Sequence, residues 1–138
     1  MYPNRWRLDG QLALVTGGSA GIGRAIAREL LGFGAEVLIV ARDAAALERT
    51  RDELADEVAD GEVHALVADV ADEEQRREIL DWVEDMCDSR GEGLNILVNN
   101  AGGNRRRAVV DYTRTSGARS SRSTCSRRSS CPAMPTRC

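Results

Sequence analysis

An α/β chain, built on a partial parallel sheet with helices on both faces, is the fold class this sequence predicts, and three observations predict it. Apolar runs of strand length, among them Leu12-Ala13-Leu14-Val15, Val37-Leu38-Ile39-Val40 and Leu94-Asn95-Ile96-Leu97-Val98, alternate with longer segments whose apolar residues recur at helical spacing. The second of these runs is continuously apolar, the mark of a strand covered on both faces in a parallel sheet. Between the first run and the helical pattern at Ile22 lies a glycine-rich turn, Thr16-Gly17-Gly18-Ser19-Ala20-Gly21-Ile22-Gly23, where a strand stops and a helix starts.

The elements follow in order. The first helix is expected over Ile22 to Leu31, on a stripe of Ile22, Ala25, Ile26, Leu30 and Leu31 closed by Gly32 and Gly34. Glu36 to Ala41 is the second strand, and Ala44 to Val58, with Leu47, Leu54 and Val58 on one side, the second helix, ended by Gly61. Glu62 to Val70 supplies the third strand. Asp72 to Asp88 reads as the third helix, with Asp72 as N-cap, Glu73 and Glu74 in the first turn, and Ile79, Leu80, Val83, Met86 and Cys87 at helical spacing. Trp82 and Met86 read as packing, and His64, the one histidine, is given no catalytic role. The fourth strand, Leu94 to Val98, runs into Asn99-Asn100-Ala101-Gly102. Right-handed crossovers then give strand order 3-2-1-4, with a cleft at the switch point between strands 1 and 4.

Length and composition set bounds. A chain of 138 residues is one domain at most. No apolar run approaches ~18 residues and the N-terminus has no apolar secretion core, so a soluble, cytoplasmic protein without a membrane span is expected. Cys87, Cys125, Cys131 and Cys138 lack metal-ligand or C-x-x-C spacing and read as neither ligands nor bridges, so no metal site is expected. The net charge of −3 hides a division: residues 1–104 carry 21 acidic and 10 basic side chains, whereas 105–138 carry 1 and 9. All 19 basic residues are arginine.

The glycine-rich turn carries the chemistry. Gly17 can turn the chain sharply, Gly21 can let backbone approach a diphosphate, and Gly23 can let the helix pack close. The free N–H groups and positive dipole end of that helix then face the phosphates. Its spacing, T-G-x-x-x-G-I-G, differs from G-x-G-x-x-G and resembles that of the short-chain dehydrogenase/reductase family. Asp69-Val70 after the third apolar run and Asn99-Asn100-Ala101-Gly102 after the fourth strengthen the resemblance, which covers residues 5 to about 114. The opening Trp6-Arg7-Leu8-Asp9-Gly10 and the phrase Leu94 to Val98 look most like the tropinone-reductase-like branch.

The resemblance implies a Rossmann-like dinucleotide fold, truncated before its catalytic half, since the family needs about 250 residues to complete its sheet. It implies a nicotinamide cofactor held by Gly17, Ser19, Ala20, Gly21 and Ile22 at the turn. Asp69 would accept from the adenine amine with Val70 beside the ring, and Asn99, Ala101 and Gly102 would line the nicotinamide ribose. A helix-capping aspartate is the other reading of Asp69. Where NAD-preferring relatives place an acid for the ribose 2′-hydroxyl, Ala41 stands and Arg42 follows, with Asp43 next. A guanidinium there favours a 2′-phosphate, hence NADPH over NADH; the other reading is a solvated arginine. The intact family acts on small carbonyl or alcohol substrates and assembles as homo-oligomers. Its proton relay is a tyrosine with a lysine four residues on, aided by a serine and an asparagine. Here Tyr112 is followed by Thr113-Arg114-Thr115-Ser116 and no lysine exists anywhere, so no catalytic residue is assigned.

Residues 1–112 are therefore read as the N-terminal part of a dinucleotide-binding domain and 113–138 as an Arg/Ser-rich, disordered tail. From Thr113 to Ala133 every residue is Thr, Arg, Ser, Gly, Ala, Cys or Pro, all of whose codons have C or G at the second base. That bias is expected of a gene rich in third-position G and C read one base out of register. Restoring one base before Thr115 permits the helix-like D-E-W-R-A-I-F-E-V-N-L-F-S-A-F-E-L, with an asparagine at the place of Thr124. Three functions compete: the cofactor-binding front of an NADP(H)-dependent oxidoreductase, a non-catalytic dinucleotide module, and a nucleic-acid-binding arm formed by Arg105-Arg106-Arg107 and the tail. The tail has no aromatic residue for base stacking, which sets nucleic acid behind the other two.

Overall fold

The computed structural model describes residues 6–103. Tyr112, Arg105-Arg106-Arg107 and the segment 113–138 lie outside the described residues. The elements alternate as β1 (Leu12–Thr16), α1 (Gly21–Gly32), β2 (Glu36–Ala41), α2 (Ala44–Glu57), β3 (Val63–Val67), α3 (Glu73–Arg90) and β4 (Leu94–Asn99). The strands form one parallel sheet in the order β3-β2-β1-β4, the predicted topology.

Side chains alternate across each strand, which divides the core in two. Ala13, Val15, Val37 and Ile39 face α1 and α2, packing on Ala27, Leu31, Leu47 and Leu54. Leu12, Leu14, Leu38 and Val40 face α3, packing on Ile79, Val83 and Cys87. Each Leu, Ile or Val so buried contributes about 1.5–3 kcal/mol of transfer free energy. All five residues of β1 are buried, since it lies between β2 and β4 and is covered on both faces. At the edge, β4 alternates half-buried and exposed residues, leaving Leu97 45% exposed.

Several expectations need correction. Ile22 is 72% exposed at the start of α1, and the buried positions of that helix are Gly23, Ala27 and Leu31. Gly32 belongs to the helix; the reversal falls at Gly34 (φ +94°), where Gly34 N–H donates to the Leu31 carbonyl and Ala35 N–H to that of Leu30. α2 stops at Val58, whose extended backbone ends the helix, while Gly61 matters for space, a Cβ there lying 3.0 Å from Val58 Cγ1. β3 is shorter than expected, Val63–Val67, so Asp69 and Val70 stand in the loop beyond it. α3 runs two residues past Asp88 to a left-handed cap at Gly91.

Candidate functional site

The glycine turn, the β2–α2 junction and the loops after β3 and β4 all lie at the carboxyl ends of the parallel strands. β1 and β4 are adjacent although α1, α2 and α3 separate them in sequence, so the chain reverses its winding direction at this point and opens a crevice.

Gly17 (φ +68°) leaves β1 with its N–H on the Val40 carbonyl at 2.7 Å. A Cβ on Gly17 would stand 2.9 Å from Ala101 Cα, so the turn after β4 approaches here as closely as a glycine allows. A Cβ on Gly23 would lie 2.2 Å from the Gly17 carbonyl oxygen, which seats α1 directly on the turn. Gly18 is also constrained, with Ile39 Cβ only 2.7 Å from its would-be Cβ. Gly21 differs: its φ is +56° and nothing lies within 4 Å of the Cβ position. Its side faces open space at the helix N-terminus.

That N-terminus is chemically bare. Ala20, extended at φ −163° and ψ 168°, caps α1 with no side-chain hydrogen bond, and the first turn holds no acid. α2 and α3 are closed by Asp43 and Asp72, which accept from Ala46 N–H and Gln75 N–H, each at 3.0 Å. The first-turn N–H groups of α1 and its positive dipole end remain available to an anion.

Three polar side chains not assigned from the sequence hold this geometry. Thr16 Oγ1 accepts from Asn100 N–H at 3.1 Å and Ala101 N–H at 3.0 Å and donates to the Val98 carbonyl at 3.3 Å. Asn100 Nδ2 donates to the Gly17 carbonyl at 3.2 Å, joining the two turns from the other side. Thr50, buried on α2, donates from Oγ1 to the Ser19 carbonyl at 2.8 Å. Because the peptide is planar and trans, fixing the Ser19 carbonyl toward α2 turns the Ala20 N–H away from it. Thr16 and Asn100 lay inside quoted motifs; Thr50 gave no signal, because its bond spans 31 residues.

Arg42, its side chain 78% exposed, leaves the end of β2 with Nη1 3.9 Å from Asp69 Oδ2. Asp43 is engaged as the α2 cap. Asp69 does not cap α3, whose cap is Asp72; its Oδ1 accepts from Ala71 N–H at 2.9 Å, and its N–H donates to Gln75 Oε1 at 2.7 Å. The helix-cap reading of Asp69 is thereby excluded. Val70 is half-buried beside the α3-side core, its carbonyl accepting from Arg76 Nη1. Asn99 and Gly102 are exposed, and Ala101 is half-buried against the turn. Neither tyrosine of the chain, Tyr2 or Tyr112, is among the described residues.

The family model for short chain dehydrogenase matches residues 11–121. The chain belongs to this family. Among curated relatives, a chloroplastic tropinone reductase homolog of Arabidopsis thaliana is 44% identical over 110 residues, covering 79% of this chain and 32% of that protein. Senescence-associated protein 13 of the same plant is 40% identical over 111 residues, 80% of this chain and 39% of the relative. The chain thus spans 32% and 39% of the length of these two relatives. Among solved structures, the Pseudomonas aeruginosa RhlG/NADP active-site complex matches with TM-score 0.75 and 37% identity over 89% of this chain and 45% of that one. A 3-oxoacyl (acyl-carrier-protein) reductase from Agrobacterium tumefaciens with NADP bound matches with TM-score 0.72 and 25% identity, again over 89% and 45%. The tropinone-reductase-like branch read from the sequence is borne out by these relatives, as is the α/β Rossmann-like fold by these neighbours. The chain carries the α/β fold of this family over the residues that it shares with these neighbours.

Proposed function

We propose that this module binds NADPH in preference to NADH and forms the cofactor-holding front of a reductase or dehydrogenase acting on small carbonyl or alcohol compounds. The observation that carries the reading is the bare α1 N-terminus beside Gly21, whose missing side chain leaves a cradle that any Cβ would begin to fill. Gly17, Ser19, Ala20, Gly21 and Ile22 hold the diphosphate, with exposed Ile22 as an apolar lip. Asp69 and Val70 meet the adenine, and Asn99, Ala101 and Gly102 the nicotinamide ribose. Arg42 pairs with the 2′-phosphate: it is exposed at the end of β2, and the neighbouring Asp43 is already committed to a helix cap. The NADP carried by two structural neighbours supports the same choice. When bound, the nicotinamide supplies or accepts a hydride.

The 138-residue chain itself is inactive in this reading, because it has no lysine and no Y-x-x-x-K relay. It is cytoplasmic; among the described residues no helix is long and apolar enough to cross a membrane. Titration of the full chain with both nucleotides, followed by nucleotide fluorescence, tests the binding. NADPH should bind at least ~10-fold more tightly than NADH, a difference of about 1.4 kcal/mol, and Gly21→Trp should abolish both. Equal affinities would remove Arg42 from the site, and turnover of small ketones above the Gly21→Trp background would contradict inactivity. The out-of-register reading of 113–138 is tested at the DNA: one base restored between the codons for Tyr112 and Ser116 should open a frame containing Y-x-x-x-K.

A further inference from the structure

At the opposite end of the sheet, where strands begin, parallel pairing collects three metal-ligating side chains. Val37 pairs with Val63 and Leu38 with His64, and Val37 N–H donates to the Glu62 carbonyl at 2.9 Å. Glu36, the first residue of β2, therefore neighbours Glu62, and Glu62 and His64, two residues apart, share a face of the sheet. Glu36 Oε1 lies 2.7 Å from His64 Nε2, and one ligand atom from each of Glu36, Glu62 and His64 falls within 4.8 Å of the others.

Two carboxylates on adjacent strands repel unless a cation is shared between them. Arg90 of α3 pairs with Glu36 Oε2 and, at 4.0 Å, with Glu92. With neutral His64, Glu36, Glu62, Glu92 and Arg90 sum to −2, the charge one divalent cation cancels. The surroundings hold the ligands in place. Arg90 occupies one Glu36 oxygen and leaves the other toward His64, while the Trp82 ring packs on the imidazole at 5.3 Å between centroids. Outer partners of this kind fix ligand orientation in metal sites.

We propose that Glu36, Glu62 and His64 form a site for a zinc-class divalent cation that ties the start of β2 to the start of β3, remote from the nucleotide crevice. One imidazole and two carboxylate oxygens leave a fourth position for water, a donor set that suits Zn2+ or Co2+ better than the all-oxygen shell Mg2+ demands. A tetrahedral ion with bonds of about 2 Å separates its ligand atoms by ~3.3 Å, so Glu36 and His64 move apart by about half an ångström and the Glu62 oxygen, within 4.8 Å of the others, closes in by up to ~1.5 Å.

The test uses the full chain with Cys125, Cys131 and Cys138 changed to serine, removing tail thiols as ligands, and Trp6→Phe, so that Trp82 alone reports. Stoichiometric Co2+ should quench Trp82 emission, and Zn2+ should displace it. Glu62→Gln and His64→Gln should each weaken Co2+ at least ~10-fold, with circular dichroism unchanged for Glu62→Gln, whose side chain is exposed. Absence of quenching up to ~1 mM Co2+ would overturn the proposal. So would titrations of both variants that superimpose on the parent, or displacement by Mg2+ as effective as by Zn2+.

Discussion

The two ends of the sheet are built on opposite principles. Where the strands end, glycines and an uncapped helix leave backbone N–H groups facing a crevice, and side chains such as Thr16, Asn100 and Thr50 act on backbone rather than on each other. Where the strands begin, side chains meet side chains, with Glu36 held between His64 and Arg90, and Arg90 Nη2 also bonds the Gly10 carbonyl at 2.7 Å. The difference teaches which substitutions should change nucleotide affinity and which should leave it unchanged. Only proline removes a backbone donor, and it also fixes φ, so the first end is tested through its glycines and the groups that aim them.

The largest effect is expected at Gly23→Val. A side chain 2.2 Å from the Gly17 carbonyl must push α1 off the turn, costing about 3 kcal/mol or more and abolishing NADPH binding in a fluorescence titration. Arg42→Ala comes next: loss of a charge-assisted contact of roughly 1.5–3 kcal/mol should weaken NADPH about 10- to 100-fold while NADH affinity stays unchanged. At the opposite end, Glu36→Gln should cost roughly 1–3 kcal/mol in chemical denaturation without altering NADPH affinity. An affinity change there would break the division between the ends.

Thr50→Val keeps the shape of the side chain but frees the Ser19 carbonyl. It should weaken NADPH about fivefold, or ~1 kcal/mol, with Thr50→Ser restoring affinity. The smallest effect is at Glu57, on the outer face of α2. The Arg28 hydrogen bond, aided by Arg24, holds its carboxyl below the ordinary value of 4.5. Its contribution is present above that value and is lost as pH falls through the lowered folded value. In an acid titration, Glu57→Gln should therefore differ slightly from the parent at neutral pH and converge with it at low pH.

The crevice end was largely readable in the sequence because its signals are local. A glycine turn between an apolar strand and a helix, Arg42 closing β2, and the Asn99 to Gly102 turn each occupy a few consecutive residues, and the strand order follows from crossover handedness. What connects these pieces was not readable: Thr16 reaches Asn100 across 84 residues, and Thr50 reaches Ser19 across 31. The far end was silent for the same reason. His64 stood alone on a strand; the register of β2 against β3 brings it to Glu36, 28 residues away, and the docking of α3 brings Arg90 to Glu36, 54 residues away. Helical periodicity misled at Ile22, which is exposed because α1 turns Gly23, Ala27 and Leu31 to the core instead. The alternation along β4 fits its end position in the order 3-2-1-4, which the sequence predicted, although the apolar run Ile96-Leu97-Val98 did not itself show it.

Amide hydrogen exchange of the full chain with and without saturating NADPH separates the two ends in one experiment. Protection should appear at residues 17–23, 42–43, 69–70 and 99–102, and exchange at residues 36, 62, 64 and 90 should stay unchanged. Protection confined to the strand-start end, or an unprotected glycine turn at saturation, would contradict the placement of the nucleotide in the crevice between β1 and β4.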